Sequence, residues 1–161
     1  MTTKLQDLHL RHVDPSKLLF QHRHPAFPDA VPAPEWFEAA GVGTLRFSPW
    51  WRGTVIARLE TKAKKDAYFV VVEVFGLYMT DEQAAEQSKA PSGEIDPSTL
   101  NDASPEETEE FALRALDDLY PFVRSELYSL SGRMQGVLGV MLQPYPQIRR
   151  SSSDDGDESE E

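Results

Sequence analysis

The sequence contains no cysteine, which excludes disulfide bonds and metal sites built from thiolates. It also lacks any apolar run close to the ~20 residues that a membrane-spanning helix needs. The first 20 residues include no continuous apolar segment of the kind found in signal peptides. From these absences we expect one cytoplasmic domain, 161 residues long, without membrane insertion.

Basic residues are scarce in two segments that are rich in carboxylates. Residues 81–110 hold ten acidic side chains and one lysine, and residues 151–161 hold six acidic side chains and no base. The rest of the chain has a formal charge of about +4, although the whole chain has −11. We expect both segments to be solvated runs, and the alternative is a regulatory tail that competes for a basic groove. No stripe of basic and aromatic residues is present, so nucleic acid is not an expected partner.

Alternating apolar and polar residues predict four strands in the first half of the chain. The first is predicted to be interrupted at Asp14-Pro15, because proline supplies no amide to a strand ladder. The last two are separated by a short polar connection and form a predicted hairpin. The predicted strands span residues 5–20, 44–49, 54–62 and 68–79, and the second is predicted to end at Pro49.

Two long connections are predicted, one between the first and second strands and one after the last strand. The first, residues 22–43, contains four prolines and is predicted to be irregular, but Phe27, Trp36 and Phe37 within it argue against disorder. The second, residues 80–103, is rich in small and polar residues and is predicted to be a mobile loop with a short helix near its start.

A long helix is predicted after residue 104 from signals at both of its ends. Ser104 can cap it, Pro105 suits the first helical position and Glu107 completes a capping box. Gly132 is a natural stop. Pro121 is predicted to kink or restart the helix, because it lacks the amide that an unbroken helix uses.

Strands followed by one helix predict an α+β fold, namely a four-stranded antiparallel sheet with a long broken helix packed on one face. Strand 68–79 is apolar on both faces and has Glu73 as its only charged residue. One helix covers one face, so we expect a second subunit to cover the other. The folded domain is predicted to span residues 1–150, with an acidic mobile insert at 81–103 and a disordered acidic tail at 151–161.

No group of residues predicts catalysis. The sequence has no glycine-rich phosphate loop and no serine in a nucleophile elbow. Four histidines lie close together in sequence, but no cysteine or spaced carboxylate accompanies them, so solvated histidines are expected rather than a metal site. They are His9, His12, His22 and His24. We expect a binding protein that is not an enzyme.

The tryptophans offer a further reading. Trp36, Trp50 and Trp51 could stack on a small ligand, although aromatic residues beside a hairpin more often belong to a core or an interface. A small enzyme or ligand-binding protein built on the aromatic loop therefore stays as an alternative.

Several segments, in order and spacing, resemble the SecB family of protein-export chaperones. Residues 119–134 resemble its helix, in which a hydrophobic–Pro–aromatic step precedes an arginine, and residues 68–78 resemble its strand ending in Gly-hydrophobic-aromatic. Residues 10–25 resemble its first strand, and residues 22–43 stand where the family has a crossover loop. The resemblance covers about residues 5–145. The second amphipathic helix of the family has no counterpart.

The resemblance implies a cytoplasmic homotetramer that needs neither ATP nor a cofactor. Family members hold precursor proteins unfolded in long apolar grooves, which keeps them competent for export, and some pass them to the motor protein SecA. Relatives in actinobacteria guard an antitoxin instead. The expected partners are therefore unfolded or precursor polypeptides, with SecA as a further partner. A dedicated chaperone for a single client such as an antitoxin is the alternative.

The aromatic residues of the loop and helix are the candidates for the client groove, and apolar residues of strand and helix are the candidates for the subunit interface. The predicted peptide-binding residues are Phe27, Trp36, Phe37, Tyr120 and Phe122. The predicted oligomer-interface residues are Phe69, Val71, Phe75, Leu127 and Tyr128.

Overall fold

The fold is a four-stranded antiparallel sheet with a long helix against one face. The computed structural model describes residues 3–22, 42–65, 68–86, 94–132, 142–144 and 146, and for residues 21, 22, 42, 64, 65, 68 and 69 it describes the backbone alone. The strands are β1 (His9–His22), β2 (Val42–Pro49), β3 (Val55–Lys65) and β4 (Tyr68–Met79). The helices are α1 (Asp81–Glu86), α2 (Ser98–Asn101) and α3 (Pro105–Ser131). The predicted α+β class is confirmed.

The sheet has the order β1-β4-β3-β2, so β1 and β2 form its two edges. The predicted hairpin is confirmed as β3 and β4, which pair from Lys65 opposite Tyr68 to Val55 opposite Tyr78. β2 ends at Pro49, as its sequence predicts.

β1 differs from its prediction. It starts at His9, after a 3₁₀ turn at Leu5–Asp7, and it runs through Pro15 without the predicted break. Its pairing with β4 shifts by one residue at Arg11 and again at Ser16. A proline is tolerated here because β1 is an edge strand, where one amide needs no partner, and because bulges accommodate irregular pairing.

α3 starts and stops where its sequence predicts. The Ser104 hydroxyl accepts a hydrogen bond from the Glu107 amide (3.2 Å), and the Glu107 carboxylate accepts one from the Ser104 amide (2.9 Å). This hydrogen bond lowers the pKa of Glu107. The helix ends before Gly132 and continues as one element through Pro121. Burial at four-residue spacing on both sides of the proline, at Leu119 and Val123, holds the two halves on the same sheet.

The core lies between α3 and one face of the sheet. Its helical side consists of Phe111, Ala115, Leu119, Val123 and Leu127, and β4 contributes Val70, Val72, Val74 and Tyr78. Phe111 packs against both Tyr78 and Phe47, each at 5.1 Å between ring centroids. Gly76 leaves no room for a side chain between the sheet and the helix, because an added Cβ would lie 2.7 Å from a methyl group of Leu119.

The N-terminal turn is fixed to α3 by one arginine. The Arg114 guanidinium donates to the carbonyl oxygens of Leu5 (2.7 Å) and Gln6 (3.3 Å) and lies over the ring of Phe111. Leu5 and Leu8 are buried beside it. This contact places the start of β1 beside the first turns of α3.

The segment between β4 and α3 packs partly on the β2–β3 turn. α1 agrees with the short helix predicted near the start of this loop. Ile95 forms a bridge with Trp51, and the Asp96 amide donates to the Trp50 carbonyl (3.0 Å). Residues 87–93 of the predicted mobile insert lie outside the described residues.

No helix within the described ranges is long and apolar enough to cross a membrane.

Candidate functional site

The second face of the sheet, opposite α3, is the surface that the sequence leaves unexplained. Side chains of a strand alternate between faces, and the even-numbered residues of β4 from Val70 to Val74, with Tyr78, pack under α3. The second face therefore carries the alternate set of β4 residues. Those with described side chains are Val71, Glu73, Phe75, Leu77 and Met79.

One end of this face is covered by the chain itself. Ile56, Leu77 and Met79 form a small buried cluster, with Phe75 and Ala84 packed against it. Ala84 belongs to α1, which folds over this end directly after β4. α1 therefore supplies part of the cover that we expected from another subunit.

The centre of the second face is an ion-pair network that draws on all four strands. Glu60 and Glu73 lie directly opposite each other on β3 and β4, and such like-charged pairs are destabilising unless they are neutralised. Their side chains are only 11% and 14% exposed. Lys17 (3.7 Å) and Lys62 (3.2 Å) approach Glu60, and Arg46 (3.2 Å) approaches Glu73.

The second bulge of β1 adds a hydroxyl to this network. Ser16, the extra residue of the bulge, donates to Glu73 Oε1 at 2.6 Å. Arg11, the extra residue of the first bulge, forms an ion pair with Asp81 at the start of α1. Both bulges thus direct a polar side chain toward a carboxylate, which is a common use of this irregularity.

Lys17, Lys62 and Arg46 place long charged side chains on the second face, and residues of this kind can lay their aliphatic stems over apolar surface while their charged ends stay in water. Val71, flanked by Leu19 and Lys62 in the register, is fully buried within the single chain. Leu127 is equally buried, in the core under α3. Neither residue has surface left to offer a second subunit, since both already pack inside this chain.

The other predicted interface residues differ in how far their side chains are exposed. Tyr128 on α3 is 44% exposed, and Phe75 is half-buried beside the ring of His12. Phe69 pairs with Gln21 and Lys64 through the backbone, and its side chain lies outside the described set. Tyr128 is therefore the interface candidate with the most exposed surface.

Two predicted peptide-binding residues lie on α3 and have different surroundings. Phe122 is 47% exposed. Tyr120 packs against the core, and its hydroxyl donates to the Gln143 carbonyl at 2.7 Å. Burial raises the pKa of Tyr120. The predicted residues Phe27, Trp36 and Phe37 lie outside the described residues.

α3 thus holds a short segment of its own chain by the backbone. The Arg124 Nε donates to the Leu142 carbonyl at 3.0 Å, next to the bond from Tyr120. Leu142 packs partly against the core. Two side-chain donors on neighbouring carbonyls make a contact that does not depend on the bound sequence.

Several large apolar side chains remain exposed on this chain. Two adjacent leucines lie on the edge strand β1, an isoleucine and a tryptophan lie near the β2–β3 turn, and three residues lie on α3. They are Leu18, Leu19, Trp50, Ile95, Leu113, Phe122 and Tyr128.

The histidines and tryptophans whose side chains the structure describes lie on β1 and beside the β2–β3 turn. His9 and His12 lie on β1, where His12 contacts the carboxylate of Asp14, and no group of three metal-binding side chains occurs among the described residues. Trp51 lies under the guanidinium of Arg52, at 4.8 Å. His24 and Trp36 lie outside the described residues.

The charged network is not predicted from the sequence above, although the sequence contains one signal for it. The short hairpin connection fixes the register of β3 on β4, which places Glu60 opposite Glu73. The cations come from β1 and β2, whose registers depend on two bulges and on a long connection. No local pattern predicts those pairings.

No protein-family model and no curated protein matches this chain. A solved protein of unknown function from Streptococcus agalactiae is similar over 84% of this chain and 96% of its own, with a TM-score of 0.50 and 14% identity. A SecB-like chaperone from Mycobacterium tuberculosis, solved in complex with a peptide from an antitoxin, is similar over 86% of this chain and 87% of its own, with a TM-score of 0.48 and 18% identity. The streptococcal similarity shows a shared fold alone.

Proposed function

We propose that this chain is an ATP-independent chaperone that binds unfolded or precursor polypeptides, without enzymatic activity or a cofactor. The observation that carries the proposal is the exposure of Leu18 (46%) and Leu19 (39%) next to each other on the edge strand β1. An edge strand presents backbone donors and acceptors to any extended chain. Adjacent leucines point to opposite faces and add apolar contact that does not depend on the client sequence.

The regularity of pairing between β1 and β4 makes the second half of β1 the better segment for binding a client. Pro15 and the bulges at Arg11 and Ser16 disturb the first half, whereas pairing with β4 is regular from Lys17 to His22. Bulges and prolines protect edges from unwanted pairing, so the regular half, which carries Leu18 and Leu19, is the part suited to pairing with a client.

The charge and the helix surface support the same function. The chain carries −11 overall, and like charges between particles oppose the self-association that exposed apolar residues favour. Phe122 adds an exposed aromatic residue on α3, and Tyr120 with Arg124 already holds a short segment of this chain by its carbonyls. In this proposal the protein is a cytoplasmic homotetramer with Tyr128 in a subunit interface.

Two versions of this function differ in their clients. A general export chaperone keeps many precursors unfolded and delivers them to SecA, whereas a dedicated chaperone serves one client such as an antitoxin. Glu73, the only carboxylate of β4, is engaged through both oxygens by Ser16 and Arg46. The resemblance implies that SecA is met through acidic residues of the matching strand, so a β4 whose one carboxylate is already engaged favours the dedicated version. That version gives this chain the kind of client found with the mycobacterial chaperone.

The experiment is light scattering of a chemically unfolded protein diluted into buffer with and without the full-length chain. We expect the chain to slow aggregation and the double variant Leu18→Thr/Leu19→Thr to lose most of this effect, because threonine keeps the strand and removes apolar surface. Leu113→Gln removes an equally exposed leucine from α3 and serves as the control. An intact chain that slows the aggregation of no unfolded protein at any ratio, its own cellular partner included, contradicts the proposal.

A panel of unrelated unfolded proteins separates the two versions. A general chaperone slows the aggregation of several of them, and a dedicated chaperone slows none of the panel but protects a single cellular partner recovered with the intact chain. Delivery to SecA is tested by direct binding of purified SecA, with Glu73→Gln as the variant expected to change nothing.

A further inference from the structure

An open pocket of about 560 Å³ lies on the second face of the sheet, beside edge strand β2. Its lining residues are Arg46, Phe47, Ser48, Arg58 and Glu73. Arg46 and Arg58 lie directly opposite each other on β2 and β3. Two like charges in that position are destabilising unless an anion lies between or beside them.

The residues of the pocket neutralise one of the two arginines. Arg46 pairs with Glu73 Oε2 at 3.2 Å, and the other oxygen of Glu73 is taken by Ser16. The Arg58 guanidinium donates to the Ser48 hydroxyl at 2.9 Å, and no carboxylate of the described residues pairs with it. Arg58 therefore has donors left for an anion, in the planar arrangement that binds a carboxylate through two hydrogen bonds.

The surrounding charges favour an anionic guest. Lys17 and Lys62 both approach Glu60 beside the pocket, so this carboxylate is neutralised twice. Asp14, on the far edge strand, is in contact with His12. The four cations around the pocket thus outnumber the two glutamates among them.

The sequence itself contains a segment of matching charge. Residues 151–161 hold six carboxylates and no base, and they lie outside the described residues. The carboxylates are Asp154, Asp155, Asp157, Glu158, Glu160 and Glu161. A run of this kind can place one carboxylate on Arg58 and others near Lys17 and Lys62.

The segment is long enough to reach the pocket. The last described residue, Pro146, follows the segment that Tyr120 and Arg124 hold on α3, on the other side of the sheet. The 15 residues after it span up to ~50 Å when extended. Four strands at ~4.8 Å spacing make a sheet only ~15 Å wide between its outer strands, so the segment can pass around an edge.

We propose that the second face of the sheet is a docking site for the chain's own acidic segment, residues 151–161, whose carboxylates bind at Arg58. A client or partner that uses this face must then displace the segment. The proposal rests on the charges of the face and the segment, and it is independent of the proposed chaperone function.

The test places a nitroxide label near the acidic segment of the full-length chain. Since the chain has no cysteine, Ser152→Cys gives a single labelling site. We expect the label to broaden the methyl NMR signals of Ile56 and Leu77, on the second face, and to leave those of Leu113 on α3 unchanged. The broadening is lost at about 1 M salt, where the Debye length is only ~3 Å.

The decisive variant is Arg58→Gln, which leaves the pair of Arg46 and Glu73 intact and therefore spares the fold. We expect it to abolish the broadening, and Arg11→Gln, which removes one positive charge at β1, to retain it. Broadening between labelled and isotope-enriched chains in a mixed sample supports the same docking between two copies.

Three results overturn the proposal. They are an absence of broadening at low salt, equal broadening in the Arg58→Gln variant, and stronger broadening at Leu113 than at Ile56.

Discussion

At the scale of single residues, Tyr78 is the most deeply buried tyrosine among the described side chains. Its hydroxyl has a charged partner. Its ring packs edge-to-face on Phe111, and its hydroxyl donates to Asp118 Oδ2 at 3.1 Å. Burial, together with the negative charge of Asp118 and the hydrogen bond to it, raises the pKa of Tyr78 well above its ordinary value. The folded protein therefore keeps this hydroxyl protonated where an unfolded chain releases the proton.

This difference predicts a loss of stability at alkaline pH. A group whose pKa is raised by folding contributes its full stability below the pKa of the unfolded tyrosine, about 10, and loses it as the pH rises further. Tyr78→Phe removes this component, which has a limiting slope of ~1.4 kcal/mol per pH unit, and costs ~1 kcal/mol at neutral pH. Urea midpoints on both sides of about pH 10 measure the effect.

The exposed Tyr128→Phe variant serves as the control for this experiment. We expect it to keep the alkaline loss of the unmodified protein, whereas Tyr78→Phe shows a shallower loss. The same pH dependence in both variants contradicts the assignment of the loss to Tyr78.

Gly76 is the second residue at which a single added atom, a Cβ, would disturb the packing of the core. An added Cβ would lie 2.7 Å from Leu119 Cδ2 and 2.8 Å from Leu10 Cδ1. We expect Gly76→Ala to cost ~1–3 kcal/mol, as overpacking does in other cores. At Gly43 the nearest atom is 3.4 Å away, so Gly43→Ala is expected to stay within ~0.5 kcal/mol. Urea denaturation compares the two.

A compensating change tests whether this cost comes from the helix contact. Leu119→Val shortens the side chain nearest to the new methyl group, so the double variant with Gly76→Ala should lose less than the sum of the two single variants. Simple additivity points to the strand backbone instead.

At the scale of elements, α3 keeps a proline in its interior. Pro121 is exposed and lies between Leu119 and Val123, which are buried against the sheet on either side. Inside a helix, proline lowers the free energy of unfolding by ~3 kcal/mol relative to alanine. It also raises this free energy by ~1 kcal/mol, because it restricts the conformations of the unfolded chain. Pro121→Ala should therefore raise the free energy of unfolding by ~2 kcal/mol.

Pro105 supplies the matched control, because a proline in the first turn has no hydrogen bond to lose. We expect Pro105→Ala to change the urea midpoint little, while Pro121→Ala raises it. A fall in stability for Pro121→Ala would show that the sheet depends on a bend at this position.

Local signals made α3 and the β3–β4 hairpin predictable from sequence. Ser104 and Glu107 lie three residues apart, and the hairpin closes over a two-residue gap, so a short stretch of sequence determines each. The course of β1 was harder to predict, because Pro15 is tolerated only if the strand lies at an edge of the sheet. The order of the strands is not visible in the local sequence pattern.

In the candidate site, too, features set by neighbouring residues were predictable and contacts between distant segments were not. Apolar residues on both faces of β4 correctly marked an unusual surface, and part of its cover proved to be α1 and long charged side chains. Lys17 and Arg46 come from the two edge strands and meet the glutamates only in the folded sheet. The position of Tyr120 under the chain's own carbonyl likewise depends on a segment more than twenty residues away.

At the scale of the whole molecule, the proposed function requires exposed apolar surface for clients and for other subunits. α3 carries two aromatic residues of nearly equal exposure, Phe122 at 47% and Tyr128 at 44%. They lie six positions apart, which places them on different sides of the helix axis. The proposal gives them different partners, with Phe122 in the client groove and Tyr128 in the subunit interface.

This assignment predicts opposite effects for two matched substitutions. Tyr128→Ser should lower the mass of the assembly in light scattering below that of the tetramer, because an aromatic anchor of an interface contributes more than its neighbours. Phe122→Ser should leave the mass unchanged and weaken the binding of an unfolded client. Both residues are exposed in the single chain, so neither change should lower its intrinsic stability by more than ~0.5 kcal/mol.

The two readouts make the outcomes distinct. A Tyr128→Ser protein that keeps its mass but loses its client reverses the two roles, and a loss of mass in both variants places both aromatics between subunits. If the unmodified chain is a monomer, the interface on α3 does not exist. In the proposal, the client site is then carried by β1, where Leu18 and Leu19 are exposed, and by the surface around Phe122.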